Sequence, residues 1–153
     1  GESSDAYHIS APHPEGRGAE TAMRKALWDA GLPASEVDYL NLHATATRQN
    51  DKMENRAIRR IFPEGITASG TKPLTGHLLG AAGATEIGFC WLSLKDGRLP
   101  VHAWDREADP DFPARMDFVA PGQRFTRDAR RVCMSSSFAF GGNNACLLIG
   151  DSR

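Results

Sequence analysis

Two histidines, one lysine and a glycine-rich turn are the residues of this sequence best suited to do chemistry. His43 closes an apolar run and opens the polar stretch His43-Ala44-Thr45-Ala46-Thr47-Arg48-Gln49-Asn50-Asp51. His77 ends the stretch Lys72-Pro73-Leu74-Thr75-Gly76-His77, and Phe138-Ala139-Phe140-Gly141-Gly142-Asn143-Asn144 forms a third concentration of polar and small residues. A neutral imidazole offers one N–H and one lone pair, so it can donate to a developing negative charge or accept a proton. Each stretch alone has a plainer reading. A single histidine after a strand is commonly a hydrogen-bonded structural residue, Lys72 a solvated cation, and Gly141-Gly142 a hairpin turn. Between metal binding and electrostatic catalysis, the histidine pair favours the second, because no Asp, Glu or Cys stands at a recognised ligand spacing. Cys90, Cys133 and Cys146 are odd in number, widely spaced and set among apolar neighbours. They read as small buried hydrophobes in a reducing compartment, without a disulfide framework and without a nucleophile among them.

The elements that must position these loops alternate. Residues 7–10 read as a strand end, and residues 19–30 as a helix with Gly31 at its C-terminal stop. Residues 37–42 form a strand ending at His43. Asp51 and Glu54 resemble a helix-start capping pair, with Met53, Ala57, Ile58 and Ile61 giving the helical stripe behind them. Residues 66–69 read as a strand and residues 70–76 as a polar loop. Residues 78–95 form a small-residue helix, buried so that another backbone can approach Gly80 to Ala84, and Gly97 ends it. A surface connection over residues 99–115 holds Pro100, Pro110 and Pro113. Residues 117–120 form a weak strand, and residues 131–136 and 145–149 an antiparallel hairpin about the turn at residues 141–144. The order β, α, β, α, β, α, β, β, β predicts an α/β fold, a mixed and mostly parallel sheet covered by helices.

Composition narrows the function. The chain has 153 residues, with 18 basic and 19 acidic side chains and a net charge of −1. That balance disfavours a nucleic-acid binder. At 41% hydrophobic and 24% charged the chain is ordinary globular protein. No apolar run approaches the ~20 residues needed to span a bilayer. The acidic, Ser-rich start has no signal-peptide pattern, so a cytoplasmic setting is expected.

In combination the three stretches are specific. HATATRQND, KPLTGHLLGAAG and FAFGGNN, with the opening SSDAYH and the segment DAGL, resemble the C-terminal half of a β-ketoacyl-acyl carrier protein synthase of the two-histidine class. The resemblance runs over the whole chain. It implies a thiolase-like fold of two similar layered α/β halves sharing one active site, of which residues 1–153 are the second half. The nucleophilic Cys of the family belongs to the first half, consistent with a chain that starts at Gly1 without Met. The implied activity is a decarboxylative Claisen condensation of an acyl thioester with malonyl-acyl carrier protein, in fatty-acid or polyketide synthesis. The fragment alone is expected to be inactive. The alternative is a non-catalytic partner subunit similar to a chain-length factor.

The resemblance places catalytic roles on His43, His77 and Lys72, with Lys72 orienting the site and paired with Glu86, and Asp51 in support. Thr45, Thr47, Phe140, Gly141 and Gly142 fall to the substrate and its phosphopantetheine arm, with Phe140 as the gate and Phe138 in the core. Asn41, Glu86, Ser135 and Ser136 match a monovalent-cation site of some members. No other cofactor is implied beyond the carrier-borne phosphopantetheine. The implied partners are the acyl carrier protein, the malonyl and acyl thioesters, the first half, and a second ketosynthase subunit in a homodimer or heterodimer. Three positions depart from the family: Ala44 and Ala139 replace glycines, and Asn143 replaces a threonine. A Cβ at 44 or 139 penalises positive φ and narrows the loop, which bears on substrate range more than on reaction type.

Overall fold

The computed structural model describes residues 1–107, 109–110, 112 and 115–151. Its elements follow the expected alternation: β1 (Glu2–Ser4), α1 (Arg17–Ala30), β2 (Tyr39–Asn41), α2 (Arg48–Ile61), β3 (Ile66–Ser69), a short α3 (Lys72–Thr75), α4 (Ala82–Asp96), β4 (Met116–Phe118), β5 (Val132–Phe138) and β6 (Asn143–Gly150). One six-stranded sheet has the order β1-β6-β5-β2-β3-β4. Strands β5, β2, β3 and β4 run parallel, while β6 is antiparallel to both β5 and β1.

Two-residue periodicity divides the sheet between two cores. Leu40, Met134 and Cys146 face the side covered by α1 and α2, where they join Met23, Leu27, Met53 and Ile58. Tyr39 and Cys133 face the other side, where they meet Cys90 and Leu94 of α4. Helix α1 ends at Gly31, whose left-handed backbone donates to the Leu27 and Trp28 carbonyls. Helix α4 ends at Gly97 in the same way, donating to Ser93. Parallel strands with crossover helices gather the loops after β2, β3 and β5 beyond one edge of the sheet, where such folds build sites.

Four readings need correction. Residues 7–10 are loop; the first strand stops at Ser4, because Ala6 takes φ 47° and turns the chain out of the sheet. Helix α4 starts at Ala82 rather than Leu78, after a 3-10 turn over Leu79–Ala81 in which Leu79 takes φ 51°. It is only half buried: Cys90 and Leu94 are inside, but Trp91 and Leu92 are exposed. Of its small residues, Gly83 makes the close approach, since a Cβ there would lie 2.9 Å from Ser137 Oγ, whereas Gly80 faces open space. The final turn is Phe140–Gly142, and Asn143 and Asn144 already belong to β6. Pro113 lies outside the described residues. No helix of the described residues is long and apolar enough to cross a membrane.

Candidate functional site

The loop between β2 and α2 is held by two carboxylates from the first turns of α2. Glu54 accepts the backbone N–H groups of His43 (2.7 Å) and Ala44 (2.8 Å). Asp51 accepts Asn50 Nδ2 at 3.2 Å, and the nearby backbone amides of Ala46 and Thr45 favour its charged form against burial. Two successive amides are thereby bonded to Glu54, in a loop where Ala44 and Ala46 sit at φ 39° and 57°. Alternation of this kind points consecutive N–H groups at one anion. Asp51 and Glu54 are therefore not a capping pair. The N-cap is Thr47, and its hydroxyl makes no capping bond. The Glu54 side chain turns toward the loop that precedes the helix.

The clamp fixes His43, which is 5% exposed. Behind it Lys72 bonds the His43 carbonyl oxygen and stands 3.4 Å from Nδ1. Lys72 also forms a buried ion pair with Glu86 Oε1 at 2.5 Å, as the sequence suggested. A buried ammonium needs such a partner. Burial pushes the Glu86 carboxyl above its usual range, and Lys72 opposes that shift. Burial first, then the charges of Lys72 and His77, drive the His43 pKa down to about 3; a backbone bond with Phe138 opposes the drop. His43 is thus neutral at pH 7. With Nδ1 facing an ammonium that can only donate, its proton belongs on Nε2.

His77 sits in the exposed segment before α4. The backbone N–H of Leu79 donates to its Nδ1 at 3.3 Å, so the neutral ring carries its proton on Nε2 as well. The two imidazoles meet edge to face, with centroids 5.6 Å apart and planes at 86°. Phe138 backs His43 at 5.6 Å. Both rings line a cavity of about 660 Å³, together with Thr45, Thr47, Phe138 and Phe140. Thr45 and Thr47 join their hydroxyls at 2.8 Å. Phe138 is buried, as expected of a core residue, and Phe140 is 76% exposed.

Not every candidate converges. Gly141 and Gly142 are outside the cavity lining; their turn closes on Asp5, whose N–H donates to the Gly142 carbonyl. Asn41, Ser135 and Ser136 are buried in β2 and β5, with Asn41 and Ser135 in register. Asn41 Oδ1 and Glu86 Oε2 have no hydrogen-bond partner among the described residues, but Ser136 does not join them: its hydroxyl faces the opposite side of the sheet, against Cys146 Sγ. The departures behave differently: Ala139 is extended at φ −114°, where a Cβ costs nothing, whereas Ala44 takes positive φ. All three cysteines are buried. Burial pushes the Cys146 thiol up to about 12, and the bond to Cys90 and then burial raise Cys133, so neither is an activated thiolate.

Sequence reasoning missed Glu54 as a site residue, although a carboxylate between Met53 and Ala57 on the inward stripe of a helix was a usable signal. It also missed Ser10, Ala11 and Pro12, which form one cavity wall.

Residues 1–103 match the family described as Beta-ketoacyl synthase, C-terminal domain. The mitochondrial 3-oxoacyl-[acyl-carrier-protein] synthase of Arabidopsis thaliana is 42% identical over 153 residues, covering 97% of this chain and 32% of that protein. 3-oxoacyl-[acyl-carrier-protein] synthase 2 of Staphylococcus aureus is 42% identical over 153 residues, covering 97% of this chain and 36% of that protein. Among solved structures, a chain of the ketosynthase ApeO in complex with its chain length factor ApeC from Xenorhabdus doucetiae superposes with a TM-score of 0.91. It is 49% identical and covers 99% of this chain and 38% of that one. The chain spans about a third of the length of the curated relatives it matches.

Proposed function

Because the chain belongs to the family of beta-ketoacyl synthase C-terminal domains, we propose that residues 1–153 supply the C-terminal part of a 3-oxoacyl-acyl carrier protein synthase. The reaction is a decarboxylative condensation. A malonyl thioester loses carbon dioxide, and the electron pair of the broken C–C bond becomes an enolate with charge on the thioester oxygen. The enolate carbon then attacks an acyl thioester held on a cysteine of the remaining protein, and that thiolate leaves. The difficult species is the enolate oxygen. Two fixed N–H donors aimed at one point in a sheltered site stabilise it by about 3–4 kcal/mol each.

His43 and His77 are the two donors in this reading. The observation that carries it is their perpendicular pairing at 5.6 Å on the cavity wall, with each Nδ1 facing a donor. Lys72 and Glu86 position His43 from behind, and Asp51 with Glu54 hold its loop. Thr45 and Thr47 offer hydroxyls to the amides of a phosphopantetheine arm delivered by an acyl carrier protein, and Phe140 gates the acyl end. Of the four residues the family resemblance assigns to a monovalent cation, Asn41, Glu86 and Ser135 lie on the α4 side of the sheet and would hold it, supporting the Lys72–Glu86 pair by charge alone. The full-length enzyme works as a homodimer or a ketosynthase heterodimer. Its buried unpaired thiols support a reducing, cytoplasmic setting.

A chain-length-factor-like subunit is the second reading. The convergence of His43 and His77 on one cavity, with Lys72 behind His43, supports the enzyme instead. In the full-length protein, His77→Ala is expected to abolish malonyl decarboxylation while leaving acyl transfer to the cysteine largely intact. Equal loss of both steps would make His77 a structural residue.

A further inference from the structure

Arg48 is the first residue of α2 and lines the cavity just beyond Thr47. Apart from the histidines, it is the one ionisable side chain among the described lining residues, and its neighbours there include Pro12, Leu79 and Phe140. It is exposed, and its guanidinium has no hydrogen-bond or ion-pair partner among the described residues. Two of the other three arginines of α2 show the contrast: Arg56 is bonded to Glu15 at 2.7 Å and Arg60 to Glu20 at 2.5 Å. The acids nearest to Arg48 along α2 are committed elsewhere: Asp51 accepts from Asn50 and Glu54 from the His43 and Ala44 amides. Arg48 thus places an uncompensated positive charge at the rim of a largely apolar cavity.

The order of groups along the loop gives that charge a position relative to the chemistry. His43 is deeply buried, Thr45 and Thr47 present their paired hydroxyls further out, and Arg48 stands in solvent. An elongated ligand with its reacting end at His43 and His77 has its far end beside Arg48. For the thioester of the proposed function, on which this step rests, that far end is a phosphodiester. The other anionic group of the substrate, the malonyl carboxylate, sits at the reacting end beside the imidazoles.

We propose that Arg48 is a specificity-determining subsite for the phosphate at the carrier end of the phosphopantetheine arm. A planar guanidinium matches two phosphate oxygens at once, and nothing in the protein competes for its donors. Because the pair is exposed to water, its contribution is modest and falls with ionic strength.

The test compares malonyl-phosphopantetheine with malonyl-pantetheine, which lacks the phosphate, on the full-length protein. The wild type is expected to prefer the phosphorylated arm in kcat/KM by about fivefold at low salt, and Arg48→Gln to remove that preference. Arg48→Lys keeps part of it, and high salt erases it in the wild type. An unchanged preference in Arg48→Gln, or an absent one in the wild type, overturns the proposal. Calorimetric titration of phosphopantetheine and pantetheine, without an acyl group, separates this result from the enzyme reading. A phosphate-dependent affinity that Arg48→Gln abolishes supports the subsite even in a protein that condenses nothing. Equal affinity for both arms refutes the subsite even in an active enzyme.

Discussion

Glu54 sits on the boundary between stability and catalysis. It is 3% exposed, and burial raises its pKa to about 7; the loop amides and Lys72 oppose that shift and the charge of Asp51 reinforces it. An acid whose folded pKa lies above its unfolded value binds more protons when folded, so this group adds stability at low pH and loses it as pH rises through about 7. Its effect on the site has the opposite sign. A protonated carboxyl turns one acceptor into a donor, and one of the His43 and Ala44 amides then loses its partner. Activity of the full-length enzyme is therefore expected to fall on the acid side of neutrality. The imidazole of His43, driven down to about 3, is not the group that titrates there. Glu54→Gln fixes the uncharged state. It should lower kcat about tenfold, the order of one charge-assisted hydrogen bond, and flatten the acid limb of the pH–rate profile. An acid limb near pH 7 that persists in this variant would show that another group sets it. The inward stripe of α2 announced Glu54 in the sequence, but its partners did not, because they lie in a loop held at backbone angles that alanine disfavours.

The unit that sets His43 is strand β2, its loop and the first turns of α2, and that unit is fitted against the end of β3. A Cβ on Gly70 would lie 2.6 Å from the Ala44 Cβ, so the methyl group at position 44 fits because position 70 has none. Gly70→Ala should destabilise the full-length protein by about 2 kcal/mol through overpacking. Ala44→Gly alone should be nearly neutral, because relief of positive φ, about 1 kcal/mol or more, is offset by the added freedom of glycine in the unfolded chain. Combining the two should recover most of the Gly70→Ala loss. Denaturant melts of the four proteins in a double-mutant cycle measure the coupling, and simple additivity would refute the fit. At this scale the sequence was largely readable. The alternation of strands and helices, the Gly31 and Gly97 stops and the closing hairpin follow from periodicity and turn chemistry. The failures at residues 7–10 and at the start of α4 share one cause. Ala6 and Leu79 take positive φ in a non-glycine residue, a state that no local propensity marks.

The whole molecule builds one sheet and two cores, yet it leaves one of the two cavity imidazoles open to water. His77 is exposed, and α4 turns Trp91 (57% exposed) and Leu92 (45% exposed) outward while its other face packs on β5. Donors in water gain little over water itself, because a high dielectric screens the charge they are meant to stabilise. The proposed role of the imidazole pair therefore calls for a second body to close the cavity and exclude solvent, and the chain spans about a third of its curated relatives. The nucleophile is also wanting, since the thiols of Cys133 and Cys146 are raised by burial and their neighbours and Cys90 is buried beside them. The purified 153-residue chain, given acyl and malonyl thioesters, is thus expected to release no β-ketoacyl product, whereas the full-length protein forms it under the same conditions. Mass spectrometry of the thioester pool decides the matter. Product from the 153-residue chain alone, in a preparation free of the longer protein, would show that these residues contain a complete active site and that Cys90, Cys133 or Cys146 can be reached after all.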